Sequence, residues 1–231
     1  MTEFETYPLL SDLEYKSWAE SQQWYQAIKL RNGYVTKGND FDGLRGKVLS
    51  DIDYKGKRVL DVGCNSGKYA LAAKAAGAAE VIGVDVNKQR LNQARMLARN
   101  ENLDVTFLNM GVESIAKLGQ FDVVICIAVL TEVENVIGGL RALASCLKSK
   151  AIIEMGLAQP ALSVSKNRSW WRVDPYVSRL GRTGEFQRHI HAGWVVYPSI
   201  QIVCDIFGRG FKVKHVGRGP RYELLEIDSA S

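Results

Sequence analysis

The chain has 231 residues, 46% hydrophobic and 24% charged, with 21 Gly and only 5 Pro. That composition suits one globular domain with a sizeable core and excludes disordered, collagen-like and Pro-rich chains. The formal charge of +5 is compatible with an anionic partner without requiring one.

Glu3, Glu5, Asp12 and Glu14 crowd the N-terminus, with no basic region ahead of an apolar run, so no signal peptide is expected. The longest apolar run, Val123 to Leu130, is too short to span a bilayer. Cys64, Cys126, Cys146 and Cys204 form no C-x-x-C and, with three histidines, predict neither a zinc site nor a disulfide framework. A soluble cytoplasmic protein without metal or membrane partner is the expectation.

In chain order, residues 12–30 read as an amphipathic helix through Leu13, Trp18, Tyr25 and Ile28. Asn32-Gly33 signals a turn, and 41–52 a second short helix. From Lys57 the pattern changes. Arg58-Val-Leu-Asp-Val62 is a short apolar run ending at a glycine turn, as a buried parallel strand would. A helix over 68–76 stops at Gly77. A strand over 80–86 precedes a helix capped by Asn87 and running to about 100. Strands over 105–108, 121–128 and 151–155 alternate with helices near 112–118 and 134–147. Five such alternations with short connections predict a doubly wound parallel α/β sheet, whose ligands bind beyond the carboxyl ends of its strands. After Met155 the alternation stops. Residues 157–194 are polar, basic and aromatic. Pro198-Ser199 opens a helix to about 207, and strands over 211–216 and 222–227 flank a Gly217-Arg-Gly-Pro220 turn.

Two motifs carry chemistry. The first is Val59-Leu-Asp61-Val-Gly63-Cys64-Asn-Ser-Gly67. Gly63 and Gly67 let the backbone approach a ligand, and the following helix offers free N–H groups. The spacing is neither G-x-G-x-x-G nor G-x-x-x-x-G-K-S/T, so a dinucleotide fingerprint and a P-loop fit poorly. Asp61 beside the turn suits a cationic ligand better than a pyrophosphate. The second is Val81-Ile-Gly-Val-Asp85, which sets an acid at a strand tip, placed to accept two ribose hydroxyls.

Together these residues resemble the cofactor site of class I S-adenosylmethionine-dependent methyltransferases over about 57–155. The terminal hairpin supports the likeness, and predicts a Rossmann-like sheet of seven strands that ends antiparallel. Position 65, often Gly in that family, is Asn here. The resemblance implies S-adenosylmethionine as cofactor. It implies contacts from Asp61, Gly63, Cys64, Gly67, Asp85, Val86, Val112, Glu113 and Ile127, with Trp24 and Tyr25 covering cofactor or acceptor from the N-terminal cap.

A narrower resemblance extends over most of the chain. Trp24 to Leu30 with Asn32-Gly-Tyr-Val-Thr36, Asn109-Met-Gly-Val-Glu113, Ala128-Val-Leu-Thr131 and Val196-Tyr-Pro-Ser199 are similar to segments of a bacterial group related to the tRNA wobble-uridine carboxymethyltransferases. That group's carboxylated cofactor needs cationic and aromatic groups around the extra carboxylate. Tyr25 and Thr131-Glu132 stand at the aligned positions here, and Glu132 would repel it. Transfer of a plain methyl group is therefore expected.

From Ala161 to Tyr222 the chain has 11 Lys and Arg against three acids. Arg168, Trp170, Trp171, Arg172, Tyr176 and Arg182 interleave cations and rings that suit phosphate, carboxylate and a base or sugar face. The acceptor is expected to be anionic: a phosphorylated or acidic small molecule, a glycan end, or RNA. An alcohol acceptor would benefit from a general base, for which Glu132, His189, His191 and Glu154 are candidates, Glu154 being equally a structural partner for an arginine. The expected organisation is a single domain: a helical cap over 1–55, a cofactor-binding core over 56–156, a substrate insertion over 157–197 and a closing helix and hairpin over 198–231. Three functions follow: methyl transfer to a small molecule or glycan, tRNA wobble-uridine (carboxy)methyl transfer, and a non-catalytic binding module on the same fold.

Overall fold

The apolar runs become the centre of a seven-stranded sheet. The structure, a computed structural model, describes residues 6–157, 171–174, 195–198, 200–218 and 222–230. Helix α1 (Asp12–Ser21) and α2 (Gly43–Ser50) precede β1 (Arg58–Val62). Then come α3 (Lys68–Ala75), β2 (Glu80–Asp85), α4 (Lys88–Glu101), β3 (Thr106–Asn109), a 3-10 helix (Val112–Leu118), β4 (Phe121–Ile127), α5 (Val136–Cys146) and β5 (Leu147–Met155). A two-stranded pair, β6 (Trp171–Asp174) and β7 (Val195–Pro198), is followed by α6 (Ile200–Phe207), β8 (Phe211–Arg218) and β9 (Glu223–Ser229).

The sheet order is β3-β2-β1-β4-β5-β9-β8. The first five strands run parallel, and β9 pairs antiparallel with both β5 and β8. This is the α/β Rossmann-like sheet expected from the alternation, the terminal hairpin and the family resemblance together. Successive strand residues point to opposite faces. Val59, Val123, Ile125 and Ile152 join the core under α3, α4 and the cap, while Leu60, Val124, Ala151 and Ile153 join that under α5 and α6. Both faces are covered, which is why the central strands read as continuous apolar runs. The chain reverses direction across the sheet between β1 and β4, so the switch point lies beyond Val62 and Ile127.

The N-terminal cap departs from expectation. Helix α1 starts on a Ser11–Glu14 capping box and ends at Ser21, not near 30. Residues 23–30 are extended, because Trp24, Gln26, Ile28 and Leu30 alternate into the interior with period two. Bridges Gln26–Asn39 and Lys29–Val35 tie this segment to the chain beyond the Asn32-Gly33 turn. The segment near 112–118 is a 3-10 helix. No helix among the described residues is long and apolar enough to cross a membrane.

Candidate active site

A cavity of about 680 Å³ lies at the switch point, lined from the ends of β1, β2 and β4, the loops after them, α2 and α3, and the extended cap segment. The volume is that of a small-molecule or cofactor site.

Asp61 stands at its base. It is 2% exposed, and its Oδ2 accepts the N–H of Ala70, in the first turn of α3, at 3.0 Å. Burial, with Asp85 nearby, pushes its carboxyl up to about 7, against the lowering effect of the Ala70 N–H. Asp85 ends β2. Its Oδ2 accepts the N–H of Asn65 and its Oδ1 that of Asn87, each at 2.8 Å. Each carboxylate oxygen retains acceptor capacity beyond its one N–H.

The turn between β1 and α3 explains the departure at position 65. Asn65 has φ +51°, a left-handed conformation that Asn tolerates better than most residues. Its Oδ1 accepts the Ser66 N–H at 2.8 Å, and Ser66 Oγ donates to Gln93 Oε1 at 2.8 Å. Gly63 has φ +69°, and a Cβ there would come within 2.1 Å of Val129 Cγ2. Gly67, φ +83°, would meet the Phe107 ring at 2.9 Å. Protein side chains, then, fill the space both glycines leave. Gly63 lines the cavity, and Gly67 stands behind it as the N-cap of α3. Ala128, just after β4, has φ +58° and also lines the cavity. Its N–H donates to the carbonyl of Glu154 at 3.0 Å. Non-glycine residues held in this region cluster at binding and active sites.

Of the residues expected at the cofactor, Tyr25, Asp61, Gly63, Cys64, Asp85, Val86, Val112, Glu113 and Ile127 share the cavity wall. Trp24 does not. It is buried in the cap, with its indole N–H donating to the Ala19 carbonyl at 2.7 Å. Glu132 lies on the wall, on the loop after β4. Cys64 is inert as a nucleophile, because burial and the charges of Asp61 and Asp85 raise its thiol well above the ordinary range. His189, His191, Arg168, Trp170, Tyr176 and Arg182 lie outside the described residues, and Trp171 and Arg172 fall in β6.

Sequence reasoning missed Gln26, Arg45, Tyr69 and Arg90, which also line the cavity. Arg45, in α2, is 3% exposed and ion-paired with Glu154 at the end of β5. Its Nη1 donates to the Tyr69 hydroxyl at 3.3 Å, and its guanidinium lies 5.6 Å from the Phe41 ring centroid. Arg45 Nε and Gln26 Oε1 are buried and have no hydrogen-bond partner among the described residues.

Residues 59–150 match the family described as a methyltransferase domain. Over 127 residues the chain is 36% identical to a ubiquinone biosynthesis O-methyltransferase of Neisseria meningitidis, covering 53% of each chain. Over 103 residues it is 40% identical to a tRNA U34 carboxymethyltransferase of Pseudomonas savastanoi, covering 44% of this chain and 32% of that one. The chain thus spans about half or less of the length of these relatives. The crystal structure of the N-terminal domain of EvdMO1 with SAH bound superposes with TM-score 0.69 at 16% identity, over 96% of this chain and 98% of that one. That likeness is one of fold.

Proposed function

We propose that this chain, whose residues 59–150 match the methyltransferase-domain family, transfers the methyl group of S-adenosylmethionine to a polar small molecule or glycan end that bears negative charge. The observation that carries this reading is one cavity lined at once by Asp61, the Gly63–Asn65 turn and Asp85, at the switch point of the sheet. The residues fit the cofactor. Arg45 and Asp61 offer opposite charges to a zwitterionic amino-acid end. Asp85 offers carboxylate oxygens to paired hydroxyls. Val86, Val112 and Ile127 offer apolar surface to a base ring.

Bound S-adenosylmethionine supplies an activated methyl group on a positively charged sulfur. The protein's part is then to hold the acceptor in line and exclude water, which supplies most of the rate. Glu132, on the loop after β4, is the described side chain assigned to take a proton from a hydroxyl acceptor, with His189 and His191 as further candidates. The basic and aromatic stretch from Lys166 to Arg188 is assigned to the charged end of the acceptor. In this reading the whole chain works as one domain, with 1–55 as cap and 157–197 as substrate insertion.

A second reading, carboxymethyl transfer to tRNA wobble uridine, is favoured by the likeness to the tRNA U34 carboxymethyltransferase. The cavity wall argues for the plain cofactor. It carries Asp61, Asp85, Glu113, Glu132 and Glu134 against Arg45 and Arg90, and Arg45 is already assigned to the carboxylate of the amino-acid end. An added carboxylate would be repelled there. Incubation with methyl-labelled S-adenosylmethionine and separate pools of acidic metabolites, oligosaccharides and bulk tRNA tests the proposal. Label in either of the first two pools supports it. Label in tRNA alone overturns the acceptor class.

A further inference from the structure

Arg45 and Glu154 are 109 positions apart in sequence, yet their side chains form an ion pair with 4% and 0% exposure. One partner belongs to the cap helix α2, the other to the last turn-ward residues of β5, where the Glu154 carbonyl also holds the strained Ala128. The cost of burying two such charges can match or exceed what their attraction returns, so a pair of this kind is weak evidence for stability. Here it has a second consequence. It sets a cation in the cavity wall, with one N–H of Nη2 on Glu154 Oε2 and one N–H of Nη1 on the Tyr69 hydroxyl, each terminal nitrogen keeping a second N–H.

We propose that Glu154 is a positioning residue for ligand binding: its buried carboxylate, acting through Arg45, holds the α2 guanidinium in the cavity wall so that a remaining terminal N–H meets an oxyanion of the bound ligand. Glu154 itself does not touch the ligand. Its carboxylate makes the arginine's orientation independent of the cap's own weak helix, which has no side-chain N-cap bond. The proposal depends on the methyl-transfer reading only for the choice of ligand.

The test is a double-mutant cycle read by calorimetric titration with S-adenosylhomocysteine (SAH). Each variant is first checked for native circular dichroism and thermal midpoint. Glu154→Gln is expected to weaken binding by about tenfold or more, since a charged hydrogen bond to the ligand is lost or misdirected. Arg45→Met weakens it at least as much. Because Glu154 acts through Arg45, Glu154→Gln adds nothing in the Arg45→Met background. The double variant also recovers stability relative to Arg45→Met, because the latter leaves a buried carboxylate unpaired. If Arg45→Met alone unfolds, the double variant is compared with Glu154→Gln: equal affinity supports the proposal, and much weaker binding by the double variant overturns it. Additive losses, or a folded Glu154→Gln that binds like wild type, overturn the proposal.

Hydrogen exchange on the ligand-free protein separates this from failure of the functional reading. Glu154→Gln is expected to speed exchange in residues 43–50 while β1 and β2 stay protected. If wild type fails to bind SAH, the methyl-transfer reading fails, and unchanged exchange over 43–50 would then overturn the positioning role by itself.

Discussion

Asp85 Oδ2 accepts the backbone N–H of Asn65 at 2.8 Å, so the tip of β2 fastens the loop that follows β1. The same carboxylate holds the Asn87 N–H at the start of α4. One side chain therefore shapes the ligand turn, caps the next connection and faces the cavity.

Asp85→Ala removes both fastenings along with the acceptor for ligand hydroxyls. We expect SAH affinity to fall by on the order of 1–3 kcal/mol. Calorimetric titration checks it, and an unchanged affinity would place the ribose elsewhere.

Asp61 makes stability and binding respond to pH in opposite senses. Its carboxyl is raised from 3.8 to about 7, so the folded state holds its proton more tightly than the unfolded state. The contribution of this group to stability is therefore fully present below about pH 4 and is lost as pH rises through 7. Asp61→Asn should flatten that window in urea titrations and leave the ligand-free protein more stable than wild type at pH 8. A cationic ligand favours the ionised carboxylate, so S-adenosylmethionine affinity should rise from pH 6 to 8 in wild type and not in the variant.

Gly63 is the turn position least able to accept a side chain. Its φ is +69° and a Cβ would meet Val129 Cγ2 at 2.1 Å. Gly63→Ala should cost about 2–4 kcal/mol of stability from left-handed strain plus overpacking. Adding Val129→Ala should return the overpacking part only. Equilibrium unfolding of the single and double variants measures both contributions.

Glu132→Gln tests the proton acceptor. With a hydroxyl acceptor, turnover should drop by about 10²–10⁴-fold and the acidic limb of the pH–rate profile should disappear, while SAH affinity holds. Retained turnover would shift the role to His189, His191 or solvent.

The core was legible in the sequence because its physics is local. Val59–Val62 and Val123–Cys126 are buried on both sheet faces and so read as apolar runs, broken only by Asp61, each leading to a loop of the cavity wall. Asp61 was legible because it stands in such a run beside the Gly63 turn, and Asp85 because it ends one. The cap was harder. Trp18, Tyr25 and Ile28 fall at helical spacing, but the alternation Trp24, Gln26, Ile28, Leu30 governs residues 23–30, and a polar Gln26 in the buried set hides it. Arg45 was invisible for another reason. A lone arginine in a short helix reads as a solvated side chain, and only the fold brings Glu154 to it. Gly63 and Gly67 announced a turn, while the close approach of Val129 to Gly63 follows a left-handed Ala128 that no local pattern predicts.

The most direct measurement is calorimetric titration of the whole chain with S-adenosylmethionine, repeated with its carboxylated analogue. A cavity walled by Asp61, Asp85, Glu113 and Glu132 should bind the plain cofactor and bind the carboxylated form more weakly. Preference for the carboxylated form would contradict the electrostatic argument and move the acceptor to wobble uridine. Binding of neither would leave the Rossmann-like sheet without the methyl-transfer activity proposed for it.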